Sequence, residues 1–297
     1  MKSTHLHYLG LCLLTGGLLA GCTNLAPVRT FADQTKKMSG AFDPMLDATV
    51  NSCTEKIKRK KLIAGERYDP QEADNTARSS CASLDRNNKV MATLNDLLAQ
   101  YADTLAALAD DRLPNYQTEF DSLGASLGGI ANSESGAPLF DGDKLGKVMS
   151  LTARLSSALT ANLEKAGIRD LLNEEDSIKV ITNGLKEYAQ ANYRASLNDE
   201  AGDIGKLRMR LDQLAVKEPL ASNYAKSMLF IEEHQLGARA KIVDAYVASV
   251  DELQKTIAEL RLKQNQPDDP GLKRQLANFS KAVDKLRKQA VFYNNVQ

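Results

Sequence analysis

A single histidine limits most of the chemistry this chain can offer. Of its three histidines, His5 and His7 stand within the first seven residues, leaving His234 in "IEEHQLG" (231–237). A helical di-iron centre needs Glu-x-x-His on each of two facing helices. Ile231 occupies the position three before His234, and no second histidine is available. A Ser-His-Asp arrangement would also have to use His234, and no Gly-x-Ser-x-Gly elbow is present. His234 is therefore expected at an exposed or core-edge position, with no catalytic or metal role.

Other chemistry-bearing stretches fail on spacing. "DGDKLG" (141–146) opens like a calcium loop, but Leu145 replaces the fifth-position ligand and Thr152 falls where a bidentate Glu is required. "LGASLGG" (123–129) is followed by no Lys-Ser/Thr and preceded by no strand, so it is not a phosphate-binding loop. Glycan cleavage by paired carboxylates finds no pair that stands out among 38 acids, and 5% aromatic content without tryptophan suggests no sugar platform. No metal and no cofactor are expected. The remaining constellation is basic: "EKIKRKK" (55–61) holds Lys56, Lys58, Arg59, Lys60 and Lys61 within six residues. These suit a helix C-terminus and a solvated face, or contact with an anionic envelope component or a negatively charged protein. Nucleic acid is not expected: the run has no aromatic residue to stack on bases, and 38 basic residues balance 38 acidic ones.

The four cysteines divide between the start of the chain and its first helices. One cation, Lys2, precedes an uncharged run from Leu9 to Ala20 closed by small residues, which has the three parts of a signal peptide. The run is too short for a membrane span of about 20 apolar residues. Leu19-Ala20-Gly21-Cys22 resembles the lipobox of bacterial lipoproteins. The resemblance implies that Cys22 is acylated and becomes the first residue of the mature protein, with residues 1–21 removed. Thr23 in place of Asp points to the outer membrane. Several acyl chains on one residue would anchor stably. Another helical lipoprotein family, the imelysin-like proteins, has a Gly-x-His-x-x-Glu pattern; Glu232 and Gly237 stand where its Gly and Glu belong, so the likeness fails. Cys12 departs with the leader, and Cys53 and Cys81 are left as an even pair, expected as a disulfide in an oxidising compartment.

The elements that position these residues read as helices throughout. Apolar residues recur at alternating spacings of three and four: Val28, Phe31, Met38, Phe42, Met45, Cys53 and Ile57; Leu84, Met91, Leu94, Leu98, Tyr101, Leu105 and Leu108; Val243, Tyr246, Val250, Leu253, Ile257 and Leu260; Leu272, Leu276, Phe279, Val283 and Leu286. This is the seam of helices packed at coiled-coil angles. The expected fold is an all-α, elongated antiparallel bundle: a disulfide-clamped hairpin region (22–135) and a C-terminal region (136–297), separate or packed as one domain. Pro44 predicts a kink or restart in the first helix, and "AGERYDPQEADN" (64–75) a turn before the second, which Pro114 ends. Further helices are expected over 144–165, stopping at Gly167, and from about Ser177, interrupted near Gly202 and ending before Pro219. Asp268 or Asp269 with Pro270 should start the last one. Gly124–Gly146, with six of the 18 glycines, reads as a connector or as a binding loop over the end of the bundle.

"YADTLAALADDRLPNYQTEFDSLGASL" (101–127) is similar to all-helical envelope lipoproteins of proteobacteria to which no activity is assigned, and implies that location without an activity. The sequence thus predicts a lipid-tethered helical scaffold, not an enzyme, facing the periplasm and docking on a protein partner through Lys56–Lys61 or Gly124–Gly146. Oligomeric state is left open. The alternatives are an immunity or exclusion lipoprotein guarding against a toxin, phage or plasmid, and an envelope-polymer hydrolase using a carboxylate pair.

Overall fold

The computed structural model describes residues 24–110, 120, 122–158 and 164–294. The leader, Cys22 and Pro114 lie outside the described residues. Among the described residues the fold is all-α, with no strand and one isolated bridge, Ala131 to Pro138.

The first helix does restart at Pro44. Helix α1 (Ala26–Ser39) ends at Gly40, and α2 (Asp43–Ala64) begins with Pro44 in its first turn, where a missing N–H costs nothing. Phe42 pins the corner, buried against Tyr246 with ring centroids 5.1 Å apart. Gly65 ends α2 in the left-handed conformation, φ 73°, and its N–H and that of Glu66 return to the carbonyls of Leu62 and Lys61. Helix α3 (Pro70–Ala109) starts from Asp69, whose Oδ1 accepts from the N–H groups of Gln71 and Glu72 at 2.9 and 3.0 Å. The hairpin brings Cys53 and Cys81 into a disulfide with Cα atoms 6.1 Å apart, the face-to-face placement their positions implied.

After α3 come a short helix α4 (Leu123–Leu127), α5 (Gly142–Ala158) and α6 (Glu164–Asn173). Two glycine readings need correction. Gly167 does not stop a helix; it lies inside α6, where a side chain would meet Leu108 of α3 at 3.2 Å, so its role is close helix contact. Gly202 does not interrupt one either. Helix α7 (Glu175–Tyr188) passes through a π-helical turn, Ala189–Arg194, into α8 (Ala195–Leu214), which runs straight through Gly202. The irregularity is thus a wider turn upstream, buried at Ala189, Ala191, Asn192 and Tyr193, where no Gly or Pro marks it.

Helix α9 (Pro219–Leu262) has 44 residues and spans about 65 Å at 1.5 Å per residue. Asp269 rather than Asp268 caps α10 (Pro270–Asn294), accepting from Gly271 and Leu272 N–H at 2.8 and 3.1 Å. The long helices carry the core. Helices α1 and α2 lie end to end along α3, while α1, α7 and α10 cover the C-terminal half of α9. Phe31 meets Phe279 at 5.9 Å between centroids. All the seam residues foreseen on α9 and α10 are buried. The two expected regions share one core, since α1 packs on α10 and α2 on α8. No helix among the described residues is long and apolar enough to cross a membrane.

Candidate functional site

The Lys56–Lys61 cluster is not the free cationic surface its sequence suggests. Lys56 pairs with Asp199, Lys58 with Glu55 and with Asp74 at 2.9 Å, and Lys61 with Glu72 at 3.0 Å. Arg59 is buried, its Nη1 3.0 Å from Glu200 and its Nη2 2.8 Å from Glu232. Lys60 alone of the five has no ion pair among the described residues. As a partner contact the cluster is therefore largely spent: these cations fasten α2 to α3, α8 and α9. A run of like charge looks solvated in sequence because its acids arrive from distant helices.

Arg59 belongs to a buried network between α2, α8 and α9. Glu200, whose side chain is 2% exposed, receives Arg59 at Oε1 and Arg239 Nη2 on the same oxygen at 3.1 Å. Ser52 donates to its Oε2 at 2.8 Å and accepts from Arg239 Nη1 at 2.9 Å. Asp203, one turn along α8, is also buried and pairs with Lys206 at 3.0 Å. With both guanidinium groups drawn onto Glu200 from α2 and α9, the cluster has the geometry of a helix lock. Sequence inspection missed Ser52, Glu200, Glu232 and Arg239 because nothing local marks them.

The Gly124–Gly146 segment is neither a loose connector nor an open loop. Leu127, Ile130, Leu139 and Phe140 are buried, and Gly136 makes the turn at φ 70°. The segment is hung on the π-helical turn: Ser133 donates its N–H to Asn192 Oδ1 at 3.0 Å and its hydroxyl to the Ala191 carbonyl. Phe140 fills the space over Gly184, where any side chain would clash at 2.2 Å.

His234 is exposed, its Nδ1 3.2 Å from the Phe230 carbonyl and its ring 4.4 Å from that of Phe230. Among the described residues no group of three His, Cys, Asp or Glu is placed to hold a metal ion. Burial pushes the Tyr188 hydroxyl up to about 12, helped down only slightly by Asn192, and pushes Tyr101 and Tyr246 higher still. These phenols stay protonated at neutral pH and serve packing.

What the molecule does present is an apolar pole. At the corner joining α8 to α9, Val216 is 90% and Leu220 83% exposed, followed along α9 by Tyr224 at 68%, then Met228 and Ile231. Leu220, Tyr224, Met228 and Ile231 recur at spacings of four and three, so they share one helix face. From Pro219 to Ile231 the only charge is Lys226, which pairs with Asp212 at 2.5 Å. Scattered apolar residues are ordinary on a surface; these lie together on one helix face. The pole lies at the far end of α9 from Asn24 and Leu25, which pack beside Leu260 and Leu272. No family model, no curated protein and no solved structure matches this chain.

Proposed function

We propose that this protein is a lipid-anchored helical lipoprotein of the bacterial cell envelope that works as a non-catalytic binding scaffold. The lipobox-like Leu19–Cys22 supports the anchor, with the periplasmic face of the outer membrane as its location. The exposed apolar face of Leu220, Tyr224, Met228 and Ile231 carries the binding reading, because leaving it in water is costly unless something covers it. An anchor at Cys22 would tether the chain at the pole where Asn24 and Leu25 sit. That puts the apolar face about 45 to 60 Å away along α9, a reach suited to a protein contact in the periplasm.

Two measurements test this. Cys22→Ala should abolish fatty-acid labelling and release the protein from membranes; labelling that persists would refute the anchor. Purification from detergent-solubilised envelopes should recover a specific protein contact that Tyr224→Glu removes with helix content unchanged. Turnover of an envelope glycan or peptide, lost on replacing an acidic pair, would replace the scaffold reading with an enzymatic one.

A further inference from the structure

We infer that the apolar face of the α8–α9 pole is covered by the same face of a second copy of this chain, its α9 helices crossing antiparallel about a two-fold axis. The inference rests on the binding reading above and names the partner.

The face is a continuation of a seam already filled by a helix. Ala238, Ile242, Ala245, Ser249, Leu253, Thr256 and Leu260 extend the line of Leu220, Tyr224 and Ile231 along α9, and all of these later residues are buried. They are covered from the side where α10 packs antiparallel to α9. Gln275 of α10 sits at Glu252 of α9, its Nε2 2.8 Å from Oε2. Counting back in register from that contact sets Asn294, the end of α10, opposite roughly residue 233. The cover therefore stops where the exposed part begins, at Ile231. What belongs on this face is a helix, since the geometry of its covered half already takes one.

A second α9 supplies that helix. In an antiparallel pair centred between Ala225 and Lys226, Leu220 stands opposite Ile231 and Tyr224 opposite Ser227, so large side chains meet small ones and apolar meets apolar. A two-fold contact needs this kind of self-complementarity. The charges at its border are mostly engaged: Lys226 is held by Asp212 on α8, Glu232 and Glu233 by Arg59 and Arg208, and Lys217 stands at the Val216 edge. From their fractional exposures, Leu214, Val216, Leu220, Tyr224, Met228 and Ile231 together expose on the order of 700 Å² per copy. That is close to the roughly 800 Å² per partner of a standard specific interface. A lipid surface suits the face less well: the anchored pole is at the other end of α9, and with Lys226 held by Asp212 only Lys217 beside Val216 is left to meet anionic headgroups among the described residues.

The test uses the full chain in native envelopes. Ser227→Cys adds a thiol at the centre of the face, while Cys53 and Cys81 are tied up in their disulfide. A short bismaleimide should then yield a covalent species of twice the mass, while Lys285→Cys, on the exposed side of α10, yields none. Adding Tyr224→Glu should abolish the doubled species with helix content unchanged. A cross-link exclusively to a different protein would overturn the second-copy assignment and leave the binding reading intact. Purified Ser227→Cys protein whose thiol is shielded by phospholipid vesicles, without a cross-linked dimer, would assign the face to lipid. A thiol freely labelled in envelopes, with no adduct of any kind, would sink both this inference and the role of the face in binding.

Discussion

The two halves of α9 are built on opposite plans. In the C-terminal half, Val243, Tyr246, Val250, Leu253, Ile257 and Leu260 pack under α1, α7 and α10, and charge stays outside. In the N-terminal half the helix faces α8 and α2 through a mixed interior. Leu229 and Leu236 are buried there, but so are Ser222, which donates to the Leu211 carbonyl, and Arg239, paired with Glu200. Its other large apolar residues, Leu220, Tyr224, Met228, Phe230 and Ile231, point to water instead. One half thus gains its stability from burial of apolar surface. The other is fastened by ion pairs whose desolvation offsets much of their attraction. The contrast separates the work of holding the fold from the work of presenting a surface.

The largest effect should come from unbalancing the buried charges. Glu200→Gln leaves Arg59 and Arg239 facing each other without their shared carboxylate, and the expected loss is about 3–5 kcal/mol, read as a lowered urea midpoint. Replacing Arg59, Glu200 and Arg239 together by Met, Leu and Met should return the unfolding free energy to within about 1 kcal/mol of the parent or above it. An unchanged midpoint in Glu200→Gln would show that water reaches the network and that the halves differ less than the geometry indicates.

Apolar truncations sharpen the same comparison. Phe279→Ala removes a fully buried ring packed on Phe31 and should cost about 3–4 kcal/mol. Tyr224→Ser, at the other half of α9, should change the unfolding free energy of dilute protein by less than about 0.5 kcal/mol. Comparable losses at the two sites would mean that the exposed face is packed after all. Removing the disulfide as Cys53→Ala/Cys81→Ala should cost roughly 3.5 kcal/mol on the chain-entropy model. Faster hydrogen exchange should then appear in the half of the α2–α3 hairpin beyond the bond, ahead of the Met91–Leu108 core. Uniform acceleration along α3 would show that the bond acts on the whole bundle.

The legible parts of this fold are those whose physics is local. The three-four spacing placed the seams on α9 and α10 correctly because burial of a helix face repeats with the helix. Two cysteines could pair only with each other, and Asp268 or Asp269 before Pro270 reads as a cap in any context, the structure choosing Asp269. Glu200 was illegible because its partners are remote: Ser52 is 148 residues away and Arg239 is 39. The cations at 56–61 were misread for the same reason, their acids Asp199, Glu200 and Glu232 lying on other helices. The π-helical turn "AQANYR" has no breaker to announce it. Leu220, Tyr224 and Ile231 did carry a signal, the same spacing as core residues. Periodicity reports that a face is apolar and is silent on whether anything covers it.

The smallest expected effect concerns an ion pair at the edge of the conventional half. Glu175, in the first turn of α7, is buried with Arg261 Nε and Lys179 Nζ each 2.5 Å from its oxygens. Burial alone would raise its carboxyl, but the bonds from Lys179 and Arg261 prevail and hold it below the ordinary 4.5. A depressed folded-state value means that the stabilisation is complete above about 4.5, the unfolded value, and disappears as pH falls through the folded one. Both partners are more than 40% exposed, so screening keeps the contribution near 1 kcal/mol. Glu175→Gln should therefore lower the unfolding free energy by about 1 kcal/mol at pH 7, with the gap to the parent closing as pH is taken well below 4.5. Added salt should narrow the gap at pH 7 as well. A gap that stays constant from neutral to acid pH would assign the loss to packing around the side chain, and would make this edge of α9 resemble the apolar interior beside it more than the charged lock at Glu200.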